Sequence, residues 1–406
     1  MTEPTIVKLT DAKTYVVKTD PPHLGGLLWF FVKLETDEGY EGWGETAVLS
    51  ALMGLEDGYE KTIEDVFRTH LKGENALNPE AIYNKLYSKL TARHPDYVTL
   101  GIISAFDTAI WDICGKHYNT PVYNLLGGKC RDRIRTYSYI YDLEAEGGLR
   151  SVASCWTTDP DRLAEVAGKL VDEGFTALKF DPLPQQKLDQ GMRHPYEISM
   201  AEYEHAERAV GAVREAVGSR ADILIGTHGQ TTPSAARRLA ARIEKYDPLW
   251  LEEPCPPENY QQMGRIARST SIPIATGERL VTPFEFQNLF AEGACAFAQP
   301  DLGSCGGITA CKKIATLAEV NYVLMAPHVW GGPVITAAAL QIDANVPNFL
   351  IQESIYKSRG FFDEIVKEPF EWDNGDLIVP DKPGIGIELD EGKLDNCRGK
   401  LSDFDL

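Results

Sequence analysis

The sequence predicts an α/β fold, a (β/α)8-type barrel preceded by an α+β capping domain, and three observations carry that reading. Short apolar segments recur through residues 178–353, and each ends in a polar group. After Gly226 these ends fall at intervals of roughly 25 residues, the length of one strand–helix unit. Between them the apolar residues take helical spacing, as in residues 234–246, where Ala236, Leu239, Ala240 and Ile243 alternate with Arg and Lys. A doubly wound parallel sheet is the competing arrangement of such units.

The segment that anchors the pattern is Trp250-Leu251-Glu252-Glu253-Pro254, an apolar run that meets two carboxylates and then a proline. Its plainer reading is a strand followed by a charged turn. Similar ends flank it: Leu178-Lys179-Phe180-Asp181, Ile223-Leu224-Ile225-Gly226, Ile272-Pro273-Ile274-Ala275-Thr276-Gly277-Glu278, Ala296-Phe297-Ala298-Gln299-Pro300-Asp301, Val323-Leu324-Met325-Ala326-Pro327-His328 and Phe349-Leu350-Ile351-Gln352-Glu353. A parallel barrel gathers the C-terminal ends of its strands at one mouth, where catalytic groups sit. Lys179, Asp181, Glu252, Glu278, Asp301, His328 and Glu353 are therefore the candidate functional residues.

A barrel of roughly 250 residues leaves about 150 of the 406 for something else. We place a capping domain at 1–130, the barrel at 131–370, and a C-terminal segment, 371–406, that packs back on the cap. Residues 5–19 and 27–36 alternate as antiparallel strands, with a turn at 36–40, and helical spacing follows from Glu60 to His117. The Pro/Gly-rich loop around His23 and the loop through Met53 are either surface connections or lids over the barrel mouth.

Formal net charge is −20, which argues against nucleic acid and anionic membrane as partners. The eight cysteines form no CxxC pair or regular framework, as expected of free thiols in a reducing cytoplasm. The first residues lack a basic and apolar leader pattern, so a cytosolic location is expected.

Residues 104–116, Ser-Ala-Phe-Asp-Thr-Ala-Ile-Trp-Asp-Ile-Cys-Gly-Lys, and 121–128, Pro-Val-Tyr-Asn-Leu-Leu-Gly-Gly, resemble a signature of the mandelate racemase/muconate lactonizing enzyme family of the enolase superfamily. The resemblance extends over nearly the whole chain, and Lys179-Phe180-Asp181-Pro182 with Thr227-His228-Gly229-Gln230 is most similar to acid-sugar dehydratases. Such enzymes remove the proton α to a carboxylate and stabilise the resulting ene-diolate with magnesium; the superfamily uses Lys or His bases. The resemblance implies one divalent ion held by Glu252 and Glu278, with hard oxygen ligands suited to it. It implies His328 as general base, poised by Asp301, and Glu353 as an acid that hydrogen-bonds the substrate carboxylate.

Two departures from the family pattern bear on mechanism. Asp181 stands in the second place of the racemases' Lys-x-Lys pattern, where they keep their catalytic lysine, which disfavours a two-base racemase and suits a group that binds substrate or steers a leaving hydroxyl. Lys179 either serves the substrate or forms a structural salt bridge. On the third strand the family has a metal-binding carboxylate where this chain has Gly226. His228 or Asp181 then takes over as ligand, or water fills the position, or the metal site is impaired. His228 itself is a general acid toward the leaving hydroxyl, a metal ligand, or structural. His23, Tyr141, Arg279 and Trp330 are candidate substrate contacts; Tyr141 and Trp330 also suit core positions, and Arg279 also suits a pair with barrel acids.

The expectation is a magnesium-dependent dehydration of an aldonate or aldarate to a 2-keto-3-deoxy acid, by a homo-oligomer such as is common in the family. A cycloisomerase or epimerase using the same intermediate, and a non-catalytic sugar-acid binder, are the alternatives.

Overall fold

The computed structural model describes residues 5–47, 54–144, 155–184, 195–355, 357 and 359–404; the loop through Met53 lies partly outside them. It begins with an antiparallel meander, β1 (Leu9–Lys18), β2 (Leu28–Thr36) and β3 (Glu41–Thr46). Strand β2 is buried on both faces, and its alternation divides two cores. Leu28, Phe30, Val32 and Leu34 join the helices of the cap, whereas Trp29 and Phe31, with Trp43 of β3, join the core that runs into the barrel. Helices Glu56–Val66, Pro79–Leu90 and Tyr97–His117 complete the cap. The last is apolar on all sides because it is buried on nearly all of them.

Among the described residues, eight parallel strands form the barrel: β4 (Arg133–Tyr139), β5 (Ala177–Phe180), β6 (Asp222–Gly226), β7 (Trp250–Glu252), β8 (Ile274–Thr276), β9 (Phe297–Ala298), β10 (Leu324–Met325) and β11 (Gln352–Ser354). They pair in chain order. Closure comes from β11 pairing with β4 and from a parallel bridge between Met325 and Phe349. The helices between them start on side-chain caps, among them Asp159, Ser199, Thr232 and Thr282. Pro is among the first helical residues at Pro160, Pro233 and Pro283, where no backbone N–H is needed.

Period-two alternation sorts the barrel side chains. Leu178, Phe180, Ile223, Ile225, Leu251 and Ile274 pack outward against the helices. Tyr137, Tyr139, Ala177, Leu224, Trp250, Ala275, Phe297, Ala326 and Ile351 fill the interior. Two residues beyond these interior positions come Lys179, Gly226, Glu252, Gln299, His328 and Glu353. The pleat that fills the barrel thus aims these five polar side chains, with the bare Gly226 among them, into its mouth.

The C-terminal segment divides. Strands β12 (Trp372–Asp373) and β13 (Asp376–Ile378) form a hairpin that pairs antiparallel with β4 of the barrel, so this part does not lie on the cap. Beyond it the chain returns to the cap. The Ile385 N–H donates to Asp112 Oδ1 at 3.0 Å, and Glu391 Oε1 meets Lys33 Nζ of β2 at 2.6 Å.

Candidate active site

Lys179 is the hub of the barrel mouth. It is fully buried, its ammonium donates to Glu252 Oε1, and it lies 3.7 Å from Glu353 Oε1. The ammonium also stands over the rings of Tyr139 and Tyr137, 4.9 and 5.6 Å from their centroids. Burial works against its charge, but the Glu252 carboxylate outweighs it and holds the lysine protonated, its pKa well above the ordinary value. The other Glu252 oxygen, Oε2, accepts from the Gln299 side-chain amide at 2.9 Å.

Two histidine–aspartate pairs stand across the mouth from one another. His328, after β10, has Nδ1 2.6 Å from Asp301 Oδ2, after β9. Asp301 Oδ1 accepts from the Gly303 N–H at 2.7 Å, which fixes the carboxylate. His328 Nε2 is left toward Glu278 Oε2 at 3.6 Å and Glu353 Oε2 at 3.7 Å. Burial opposes its cation, but Glu353, Glu278 and Asp301 raise its pKa to about 10. The Val329 N–H holds Glu353 Oε2 at 2.6 Å.

The second pair is His228, after β6, with Nδ1 2.6 Å from Asp181 Oδ2, after β5. Against burial, Asp181 raises the His228 pKa to about 9. His228 and Glu253 both hold left-handed backbone, φ 47° and 44°, a strained conformation for non-glycine residues. The Gly229 N–H donates to Glu253 O at 2.8 Å, and the Thr227 hydroxyl contacts the carbonyls of Glu252 and Glu253 at 2.9 and 2.8 Å. These bonds fasten the ends of β6 and β7 together.

Glu278 is flanked by His328 and by Arg279 Nη2, which lies 3.4 Å from its Oε1. Although burial pushes the other way, His328, Arg279 and His228 hold its pKa near 2. Arg279 also lies 3.3 Å from Glu253 Oε2 and donates to the His228 carbonyl at 3.0 Å, so it is engaged with the barrel's own acids. Tyr141 stacks between Tyr139, at 4.9 Å, and Trp156, at 6.4 Å, and Trp156 reaches the His228 ring at 5.8 Å. Trp330 is half-buried against the main core. His23 lies apart from the barrel acids, with Nδ1 3.0 Å from Thr19 Oγ1 and its ring edge-on to Phe404.

Sequence reasoning passed over Gln299 and Trp156. Gln299 had a signal, since an amide in the apolar run of β9 needs a buried partner. Trp156 had none, because its ring comes to His228 through the bridge between Tyr141 and Trp156.

Six buried carboxylates, Asp181, Glu252, Glu253, Glu278, Asp301 and Glu353, share the mouth with four basic groups, Lys179, Arg279, His228 and His328. Such an excess of buried acid is costly unless a cation or protons offset it. Hard carboxylate oxygens fit a divalent metal in kind. As they stand, Glu252 is turned to Lys179 and Gln299, and among the described residues no three His, Cys, Asp or Glu side chains converge as a metal cage.

A closed parallel barrel under an α+β cap, with a histidine–aspartate pair and buried acids at its strand ends, defines an enolase-type enzyme. The family models agree: residues 27–127 match the mandelate racemase/muconate lactonizing enzyme N-terminal domain, and 162–393 the enolase C-terminal domain-like family. The chain belongs to the mandelate racemase/muconate lactonizing enzyme family of the enolase superfamily. It is 34% identical to a D-galactonate dehydratase of Variovorax paradoxus over 90% of each chain. It is 34% identical to a D-xylonate dehydratase of Haloferax volcanii, over 94% of this chain and 87% of the relative. A solved mandelate racemase/muconate lactonizing enzyme from Sulfitobacter sp. superposes with a TM-score of 0.90 at 40% identity, covering 97% of this chain and 96% of that one.

Proposed function

We propose that this enzyme dehydrates a sugar acid, an aldonate or aldarate, to a 2-keto-3-deoxy acid. The observation that carries the reading is the presence of two histidine–aspartate pairs, each closed at 2.6 Å, on opposite strands of one barrel mouth. A β-elimination needs a base for the proton at C2 and an acid for the hydroxyl at C3, and one histidine of each kind meets that need. The relatedness to galactonate and xylonate dehydratases supports the same chemistry.

His328 takes the C2 proton on Nε2, because Asp301 holds Nδ1–H and so fixes the tautomer. Charge then spreads onto the substrate carboxylate, beside Lys179 and Glu353. His228, kept protonated near neutrality by Asp181, gives its proton to the departing C3 oxygen, and water leaves. The C2–H and C3–O bonds break, a C2–C3 double bond forms, and the enol tautomerises to the ketone with no net redox change.

Glu252 and Glu278 would hold a magnesium ion, and the acid excess of the mouth supports this. Bound there, it supplies a Lewis acid for the substrate carboxylate and offsets the negative charge that otherwise keeps the proton on His328.

The test is a screen of the purified protein, with magnesium, against stereochemically complete aldonates and aldarates, detecting 2-keto-3-deoxy products. Turnover that disappears in His328→Asn is expected. An isomer of unchanged mass would assign a cycloisomerase or epimerase instead. Tight binding of an acid without conversion would make the protein a binder.

A further inference from the structure

We infer that Asp181, on the second barrel strand, supplies the third metal carboxylate that the third strand lacks at Gly226. The inference rests on the magnesium reading above, and three features of the mouth lead to it.

Gly226 cannot carry a side chain here. A Cβ built on it would overlap Asp181 Oδ1, and would stand 3.2 Å from Asp181 Cγ and 3.4 Å from Lys179 Cε. Gly226 has ordinary strand backbone, so its lack of a side chain answers to space and not to a turn. The Asp181 carboxylate lies in the shell that a carboxylate borne by residue 226 would itself occupy. The strand register fits, since β5 pairs directly with β6 and Gly226 pairs with Glu252.

Asp181 also has a free hand. Its Oδ2 is taken by His228 Nδ1, but Oδ1 is buried and, among the described residues, has no hydrogen-bond partner. A buried carboxylate oxygen with nothing to accept from is costly, and a cation relieves it. His228 is the less suitable ligand, because a hard cation prefers oxygen to an imidazole nitrogen. The acid has thus moved from one strand to its neighbour while its position in the mouth is kept, and one residue serves both the cation and the proton-donating histidine.

The test reads metal binding directly, by Mn2+ electron paramagnetic resonance and by calorimetry with Mg2+, on folded protein checked by thermal melting. Wild type is expected to bind one ion. Asp181→Asn, which keeps the shape and an oxygen for His228, is expected to weaken binding by roughly tenfold or more. The double variant Asp181→Ala/Gly226→Asp, which returns the carboxylate to the third strand, is expected to recover most of the affinity, and His228→Asn to bind nearly as wild type. Unchanged binding in Asp181→Asn would overturn the inference and leave the magnesium reading standing. Loss without recovery in the double variant would overturn the equivalence of the two positions. No binding by wild type would overturn both readings.

Discussion

At the scale of single residues, the mouth is a problem of charge placement solved by pairs. Asp301 touches His328 through Nδ1 and is itself fixed by the Gly303 N–H, so its effect on the reaction passes through the imidazole. Asp301→Asn keeps the shape and removes the charge that sets the tautomer. The expected result is a fall in kcat of about 10²–10⁴, with KM changed far less. Steady-state kinetics on the substrate found in the screen would check it, and a variant that loses KM and keeps kcat would contradict the role. Most of this site was legible in the chain, because strand alternation alone aims Lys179, Glu252, His328 and Glu353 inward from Ala177, Trp250, Ala326 and Ile351. What the chain hid was which acid partners which base. Lys179 with Glu252, Arg279 with Glu253, and Asp181 over Gly226 are contacts between strands, and no spacing within a strand encodes them.

At the scale of elements, seven of the eight barrel strands announce themselves by apolar runs, and β4 does not. It starts Arg133-Ile134-Arg135-Thr136, and the arginines belong there because Asp373 and Asp376 pair with Arg133, and Asp222 with Arg135. A strand whose charges are answered by a hairpin from the far end of the chain and by another barrel strand reads locally as a charged linker. In the cap the informative elements are β3 and the helix Tyr97–His117. Gly42 and Gly44 let the strand ride on the helix, and a Cβ at Gly44 would overlap the carbonyl oxygen of Ala105. Backbone cannot yield as a side-chain tip does, so overpacking here is expensive. Gly44→Ala is expected to cost about 1–3 kcal/mol or more, measured by denaturant unfolding, with Gly39→Ala as a neighbouring control. Gly39 has open space around it but a φ of 80°, so its cost is conformational and smaller, on the order of 1 kcal/mol.

At the scale of the whole molecule, cap and barrel each have a core of their own and are joined by a third apolar cluster that they share. Tyr15, Val17, Trp29, Phe31 and Trp43 of the meander belong to the same apolar cluster as the helices around the barrel. Glu45, at the end of β3, is buried and accepts the backbone N–H groups of Gly332, Val334 and Ile335, so a cap carboxylate closes the N-terminus of the barrel helix Pro333–Asn345. That helix follows His328, Val329 and Trp330 within a few residues, so the same contact steadies the loop that carries the candidate base. Two consequences are measurable. Far-ultraviolet circular dichroism, which reports mostly barrel helices, and tryptophan fluorescence, to which Trp29 and Trp43 contribute, should melt together. Glu45→Ala leaves three donors without their acceptor and should lower both transitions in step, by about 1–3 kcal/mol in stability. Because the helix start and the His328 loop are one piece of chain, kcat should fall with it even at temperatures where the variant is fully folded. Separate transitions for the two probes would mean that the cap is an independent lid; a Glu45→Ala enzyme of lower melting temperature but unchanged kcat would mean that the contact secures the fold without holding the base.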